Sequence, residues 1–476
     1  MTIRAVLIGA LILLDTVTFI LSFTSAILIR EVVLRYFFIQ LTPLESYLFY
    51  LTNLWWMPLP YIFFIGYESL YTKRFSFWDE TKNLIKACTL AVLVIFALFT
   101  VSKMGELVSR LVLITLWAIS LMLFPFMRFY GKRVLYYLGL WKERVLILGA
   151  GETGYLVQKG LERETNLGYV VIGFLDDDPS RIGTMLAGKK VFGKIRHFTK
   201  FVNELKIQTI IIAIPSMPFE AHRQLISTVQ KYVKHTLLIP GVKGVSLTDS
   251  TLSYLFNEEL FLIDIKNNLK NPINRLIKRC FDIVLSIFLM PVLLPVILAL
   301  AVLIKLGSKG PAFFRQERLG KGGKTFKVMK FRSMYMDNAK ILQEYLAKNP
   351  DVAEEWEKYK KIRGEDPRVT GVGRFLRKTS MDELPQAFNV IKGEMSFIGP
   401  RPFLLNEMEY LSDCYDEITM VNPGITGLWQ VSGRSDLAFA DRIKLDLWYI
   451  KNWSIWLDII ILVKTVSVVL KGKGAY

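Results

Sequence analysis

Four apolar runs, at about residues 5–29, 46–68, 84–101 and 111–127, dominate the first third of the chain. Each is long enough for a helix that crosses a bilayer, which takes roughly 20 residues. The first run shows no signal-peptide cleavage pattern and is expected to stay as an anchor. Asp15 lies inside it, with two readings: a polar contact within a helix bundle, or a functional intramembrane acid. Lys73, Arg74 and Lys82 follow the second run, and Arg128, Lys132, Arg133, Lys142 and Arg144 follow the fourth. The alternate loops carry only Arg30, Arg35, Lys103 and Arg110. That bias puts both ends of a four-helix transmembrane bundle, residues 1–135, in the cytosol.

A second pattern begins at RVLILGAG, residues 144–151. An apolar strand runs into a G-x-G-x-x-G loop at Gly149, Gly151 and Gly154, and a helix-like stretch follows. Further strands read as YVVIGFLDDDP at 169–179 and QTIIIAIP at 208–215. The alternation describes a Rossmann-like, doubly wound α/β domain over residues 140–268. Asp176 falls a little over 20 residues after the loop, where a ribose ligand would sit. Nucleotide binding through these residues is one reading. A fold retained for dimerisation or regulation is the other, since so short a region leaves little room for a substrate domain.

The fifth apolar segment, 278–305, contains Pro291 and Pro295. Arg275, Lys278 and Arg279 precede it, and Lys305 and Lys309 flank its other end. Basic charge on both sides, with kinking prolines between, predicts a bent, re-entrant helix over 281–304 that dips into one leaflet and returns. A plain fifth span would place residues 306–476 outside the cell. A last apolar helix, about 453–470, carries Trp453 and Trp456 and suits the membrane surface or a core position equally.

The soluble-looking C-terminal part holds the chemistry. Net charge is +18. Such a balance admits nucleic acid, an anionic bilayer or phosphorylated substrates; the apolar runs favour the last two, and no nucleic-acid partner is expected. Three scattered cysteines support neither a disulfide framework nor a zinc site. The three histidines all lie at or before His235, so C-terminal chemistry must run without histidine. Arg332, Arg368, Arg374, Arg377, Arg401 and Arg434 punctuate Pro/Gly-rich strings: KFRSM (330–334), DPRVTGVGRFLRKTSMDELPQ (366–386), SFIGPRP (396–402) and NPGITGLWQVSGR (422–434). Arginine holds phosphate oxygens through two parallel hydrogen bonds; a scattered solvated face is the blander alternative. The adjacent pair Asp382-Glu383 follows Thr379 and Ser380, which predicts a capped helix start and an anion-friendly N-terminus. One carboxylate could attack phosphorus to give an acyl-phosphate. Its neighbour could hold Mg²⁺, which would screen a diphosphate from the attacking anion.

From Lys278 to Tyr476 these strings resemble, in order, the catalytic domain of the bacterial sugar transferase family, the monotopic polyprenyl-phosphate phosphoglycosyl transferases. The strings are KRxFD (Lys278, Arg279, Phe281, Asp282), FRQERLG (314–320), KFRSM, TSMDELPQ, SFIGPRP and PGITGLWQVSGR. The N-terminal part resembles that of the large members, which place four transmembrane helices and a Rossmann-like domain ahead of it. The resemblance implies a mainly α catalytic domain at 274–476. It also implies Asp382 as nucleophile and Glu383 as its Mg²⁺-linked neighbour, with Asp382 beside the metal. Lys330, Arg332, Arg368, Arg374, Arg377, Gln386, Arg401 and Arg434 would be substrate-binding residues. Arg279 and Asp282 would steady the start of the re-entrant helix. Many members break that helix at Ser-Pro, where this chain has Leu294-Pro295 and the additional Pro291. The implied substrates are a UDP-hexose, galactose ahead of glucose, and undecaprenyl phosphate. The implied place is the bacterial inner membrane, with the soluble parts cytosolic and a homodimer expected. Two rivals remain. A membrane-anchored nucleotide-sugar dehydratase or epimerase would need a Tyr-x-x-x-Lys pair; Tyr155 and Lys159 have that spacing but directly follow the glycine loop. A non-enzymatic scaffold would not need the DELPQ and GPRP strings.

Overall fold

A computed structural model describes residues 3–34, 36, 54–101, 108–240, 251–255, 260–264, 268–349, 351–352, 366–411, 414–432 and 438–471. The chain divides into two compact units, Met1–Lys243 and Gly244–Tyr476. The expected boundary between bundle and α/β domain, near residues 135–140, lies inside the first.

In the first unit the apolar runs form α1 (Ile3–Leu28, continued by a π turn), α2 (Pro58–Tyr67), α3 (Phe77–Val101) and α4 (Arg110–Tyr137). Residues 5–33, α3 and α4 are long and apolar enough to cross a membrane. Part of the second expected span, residues 46–53, lies outside the described residues. The fourth run continues ten residues past its expected end. Arg128 and Lys132, read as loop charges, are therefore inside α4 and buried. Acids on neighbouring helices cause this. Arg128 Nε and Nη2 donate to Asp15 at 2.8 and 2.6 Å, and Tyr71 donates to the same carboxylate at 2.8 Å. Lys132 Nζ donates to Glu80 at 2.7 Å. Asp15 thus makes the polar contact within the bundle that was one of its two readings.

Residues 143–238 fold as a six-stranded sheet. Its strands are β1 (Glu143–Leu148), β2 (Tyr169–Leu175), β3 (Met185–Leu186), β4 (Lys189–Gly193), β5 (Thr209–Ile212) and β6 (His235–Leu238). The order is β3-β4-β2-β1-β5-β6, all parallel except the β3 edge. Continuous Val, Ile and Leu in β1 and β5 fit strands covered on both faces. Helices α5 (Glu152–Arg163), α6 (Phe198–Leu205) and α7 (Phe219–Gln230) connect them. Polar ties bind the α/β domain to the bundle, among them Arg74 Nε with Glu143 at 2.7 Å and Asn166 Nδ2 donating to Glu80 at 2.7 Å.

The second unit opens with an antiparallel hairpin, β7 (Thr251–Leu255) and β8 (Leu260–Asp264). The fifth apolar segment follows as α8 (Pro272–Gly307), 36 residues whose helical pattern continues through Pro291 and Pro295. A second hairpin pairs β9 (Phe313–Leu319) with β10 (Thr325–Phe331). Next come α9 (Asn338–Lys348), α10 (Gly371–Thr379), a 3₁₀ turn at Met381–Glu383 and α11 (Gln386–Lys392). Beyond them β11 (Ser396–Ile398) pairs in parallel with β12 (Gly424–Thr426), with α12 (Tyr415–Thr419) between, and α13 (Leu428–Ser432), α14 (Phe439–Lys451) and α15 (Ile455–Lys471) after. In α15, Asp458 and Ile461 are buried while Val463 and Val466 are exposed, so one of its faces belongs to the core.

Both halves of α8 grip this unit. Near its start, Arg279 Nη1 and Nη2 donate to the carbonyls of Val390 and Ile391, at 2.6 and 2.9 Å. The fork thus binds carbonyls of the last turn of α11, where helix carbonyls run short of intrahelical partners. Asp282 Oδ1 accepts from Ser396 Oγ at 2.9 Å and the Phe397 amide at 3.0 Å. Further along, Ile297, Leu300 and Ile304 pack with Ala312, Phe331 and Leu376, and Met381, Leu384 and Phe388 close onto that cluster.

Candidate active site

Met381 and Leu384 flank Asp382-Glu383, and both, partly buried, pack against the α8 cluster and so anchor the acidic pair. The expected capped helix start is absent. Ser380 has φ 56° and ends α10 in the left-handed region, with no side-chain cap bond. Thr379 Oγ1 bonds back to the Phe375 carbonyl at 2.9 Å. The basic helix therefore runs to the edge of the motif, and the carboxylates sit in a single 3₁₀ turn. A serine here stores strain of about 1 kcal/mol or more, which the anchored flanks oppose.

Beside the turn lies a cleft of ≈ 170 Å³, lined by Arg318, Val328, Lys330, Glu383, Gln386, Arg401, Gly424, Trp429 and Gln430, among others. Lys330 Nζ donates to Glu383 at 2.7 Å. Burial first, then the charge of Glu383, raises the Asp382 pKa above the usual carboxylate value; Lys330 and Arg377 pull it back. Burial first, then the nearby Arg401 guanidinium, lowers that of Arg318. Two guanidinium groups pressing on each other in a cleft form a site that an anion would stabilise. Behind Arg401, the buried Asp446 accepts from the Arg401 amide at 3.3 Å, and burial pushes its carboxyl up to about 8.

The cleft unites Lys330, Glu383, Gln386 and Arg401, and Asp382 adjoins it. Arg377 acts on Asp382 by charge and donates Nε to Ser333 Oγ at 2.9 Å. Other expected residues lie elsewhere. Arg332 is buried and donates Nη2 to the carbonyl and hydroxyl of Ser308, at 2.9 and 2.8 Å. It also bonds the Lys309 carbonyl, and so closes the end of α8. Arg368 forks onto Asp366, with Nη2 at 2.6 Å. Arg374 is exposed on α10. Arg434 lies outside the described residues. Arg318 was missed by sequence, though strand parity could have found it. In the β9–β10 register Arg318 opposes Phe326, two residues from Val328 and four from Lys330, so all three share one face.

The sequence matches a family described as bacterial sugar transferase over residues 273–472, and one described as CoA-binding domain over 66–240. An undecaprenyl-phosphate galactose phosphotransferase of Salmonella typhimurium is 38% identical, over 85% of this chain and 84% of its own. The chain belongs to the bacterial sugar transferase family. Within that family it also resembles the UDP-galactose-lipid carrier transferase of Erwinia amylovora, at 36% identity over 85% of this chain and 84% of the relative. A UDP-glucose:undecaprenyl-phosphate glucose-1-phosphate transferase of Escherichia coli is 32% identical, over 70% of this chain and 69% of its own. Like its family, the chain is an enzyme of the sugar-phosphate transferase class, and its long apolar helices make it a membrane protein.

In the α/β domain the glycine loop has the backbone its motif requires. Gly149 has φ +103°, and a Cβ on Gly154 would meet the Gly149 carbonyl oxygen at 2.1 Å. Asp176 turns inward: Oδ2 accepts from the Ala150 amide at 2.6 Å and from Arg181 Nη1 at 3.2 Å, and Oδ1 from the Asp178 amide at 2.9 Å. A ribose would have to compete with those bonds. A cation–π contact places Lys159 over Tyr155 on the first helical turns after the loop.

Proposed function

We propose that this chain transfers hexose-1-phosphate from a UDP-hexose, galactose ahead of glucose, to undecaprenyl phosphate. The products are undecaprenyl-diphosphate-hexose and UMP, the first membrane step of O-antigen, capsule or exopolysaccharide synthesis. The carrying observation is the acidic turn, with Asp382 partly desolvated beside a cleft that holds Lys330, Arg318 and Arg401. Three cationic side chains suit the diphosphate of a nucleotide sugar. The names of the Salmonella and Erwinia relatives support galactose, and that of the Escherichia relative keeps glucose as the runner-up.

The proposed cycle is ping-pong. An Asp382 oxygen bonds to the β-phosphorus of the donor, the bond from that phosphorus to the bridging oxygen breaks, and UMP leaves with the electron pair. An oxygen of undecaprenyl phosphate then bonds to the same phosphorus, the acyl-phosphate bond breaks, and the Asp382 carboxylate is restored. Lys330 holds Glu383 in place and lowers the cost of ionising Asp382. Among the described residues Asp382 and Glu383 offer two carboxylates with no third acid grouped beside them, a donor set that fits Mg²⁺ bound largely through substrate phosphates and water. When bound there, Mg²⁺ would neutralise diphosphate charge.

A re-entrant α8 belongs to this reading. Arg279 and Gly307 are about 42 Å apart in a straight helix, yet the first touches α11 and the second lies against Val372 of α10. A helix bent at Pro291 and Pro295 in one leaflet would bring its ends back to a catalytic body at the bilayer surface. The lipid phosphate and the soluble nucleotide would meet there, at the cytosolic face of the inner membrane.

Purified protein mixed with UDP-galactose and Mg²⁺, without lipid, should release UMP in proportion to enzyme. It should also gain one hexose-phosphate at Asp382, seen by peptide mass spectrometry. Asp382→Asn should abolish both. UMP release that survives this substitution would falsify the mechanism.

A further inference from the structure

The side chain of Asn389 takes the place of a missing strand. β10 pairs with β9 along one edge. On its other edge Asn389 Oδ1 accepts from the Met329 amide at 3.0 Å, and Asn389 Nδ2 donates to the Lys327 carbonyl at 2.9 Å. These groups flank Val328. They are the pair that one residue of a neighbouring parallel strand would engage. The helix side fixes the amide too: Nδ2 donates to Glu394 at 2.7 Å, and the Asn389 carbonyl accepts from the Glu394 amide at 3.0 Å. Asn389 is 2% exposed.

We infer that Asn389 is a positioning residue, setting the register of Lys330 against Glu383. Val328 and Lys330 share the strand face that lines the cleft. A one-residue slip of β10 would turn both away from it, because side chains alternate with period two. The asparagine clamps the strand at Lys327–Met329, directly before Lys330. It stands on α11, which begins three residues after Glu383. One short segment therefore carries one partner of the 2.7 Å ion pair and fixes the strand that carries the other. Asn389 touches neither the cleft nor Asp382 in this arrangement, so it acts through Lys330. A buried amide that merely satisfied stray backbone groups would not need both strand bonds to bracket Val328, the residue before the cleft lysine on the same strand face.

The test reads Lys330 directly. An amine held in an ion pair and partly buried is less accessible to an acylating reagent and labels slowly. Lysine acetylation rates, resolved by peptide mass spectrometry, are measured in the full-length detergent-purified protein and in Asn389→Ala and Asn389→Asp. In Asn389→Asp the two groups facing Nδ2 meet an acceptor instead of a donor. Lys330 labelling should rise about fivefold, towards the level in Glu383→Gln, as an unpaired amine reacts faster. The exposed Lys321 and Lys392 should keep their rates. Should both variants misfold, Glu394→Ala removes only the outer anchor of Nδ2 and should raise Lys330 labelling about twofold. Lys330 that stays as protected as in the native protein overturns the inference, as does a rise shared equally by all lysines. UMP release measured alongside separates this from the proposed reaction. Shifted labelling in a protein that never releases UMP sinks the reaction alone. UMP release with unchanged labelling sinks the role of Asn389 alone.

Discussion

In the proposed cycle Asp382 attacks phosphorus as a carboxylate, so its environment would fix the acid limb of that reaction. Burial and Glu383 raise its pKa, and Lys330 and Arg377 oppose them. A raised value means that the protonated, inactive form persists to higher pH than for an ordinary carboxylate. UMP release should therefore fall, on acidification, from a higher pH than a free aspartate would give. Lys330→Met removes a lowering charge and should move the acid limb up. Glu383→Gln removes a raising charge and should move it down, at much reduced rate. Profiles of kcat/KM for the three proteins check this, and coincident acid limbs would contradict the electrostatic assignment. At this scale the sequence named Asp382, Glu383, Lys330, Gln386 and Arg401 through its strings, and the fold gathers them in or beside one cleft. The sequence could not carry the role of Arg332, whose partners are carbonyls at the end of a helix more than twenty residues earlier. Arg318 was readable only through the parity of a strand whose pairing is a tertiary fact.

Elements were legible where hydrophobic period set them, and less so where a distant charge or a close contact did. The first apolar run and the β1–glycine–α5 unit stand where the pattern put them, whereas of the second run only Pro58–Tyr67 is helical among the described residues. Helix α4 overran because buried Asp15 and Glu80 accept charges that a loop would otherwise expose. The start expected at Ser380 failed because the preceding helix uses that residue to stop. Helix α10, which delivers the acidic turn, depends on one close approach: a Cβ on Gly373 would meet the Ser333 carbonyl oxygen at 2.0 Å. Gly373→Ala should push α10 off the KFRSM loop and cost about 1–3 kcal/mol, as overpacking does. Gly371→Ala, whose Cβ meets nothing within 4 Å, is the control. Thermal unfolding followed in detergent should show a lowered midpoint for the first variant only. Equal midpoints would mean that the Ser333 loop yields freely.

At the scale of the molecule, the placement of residues 309–471 relative to the bilayer decides whether the proposed substrates can reach Asp382. A straight α8 would be about 54 Å long, against a hydrocarbon core of about 30 Å. Its ends would then lie on opposite sides of the membrane. Yet Arg279 and Asp282 at one end, and Ile304 and Gly307 at the other, are all held by the segment 372–397. A soluble body cannot sit on both sides at once, which is why a helix bent within one leaflet is proposed. The basic flanks and two prolines are the sequence's ground for expecting the same bend. Two positions test it. Cys280 is exposed near the start of α8, and Leu306 is exposed near its end. With Cys88 and Cys414 replaced, native Cys280 alone, or Leu306→Cys alone with Cys280 also replaced, should react with a membrane-impermeant maleimide in inverted inner-membrane vesicles. Neither should react in right-side-out spheroplasts. Labelling from opposite sides would make α8 a plain span and leave the active site without its nucleotide sugar. Labelling of both from outside would keep the bend but reverse the orientation that the loop charges predict.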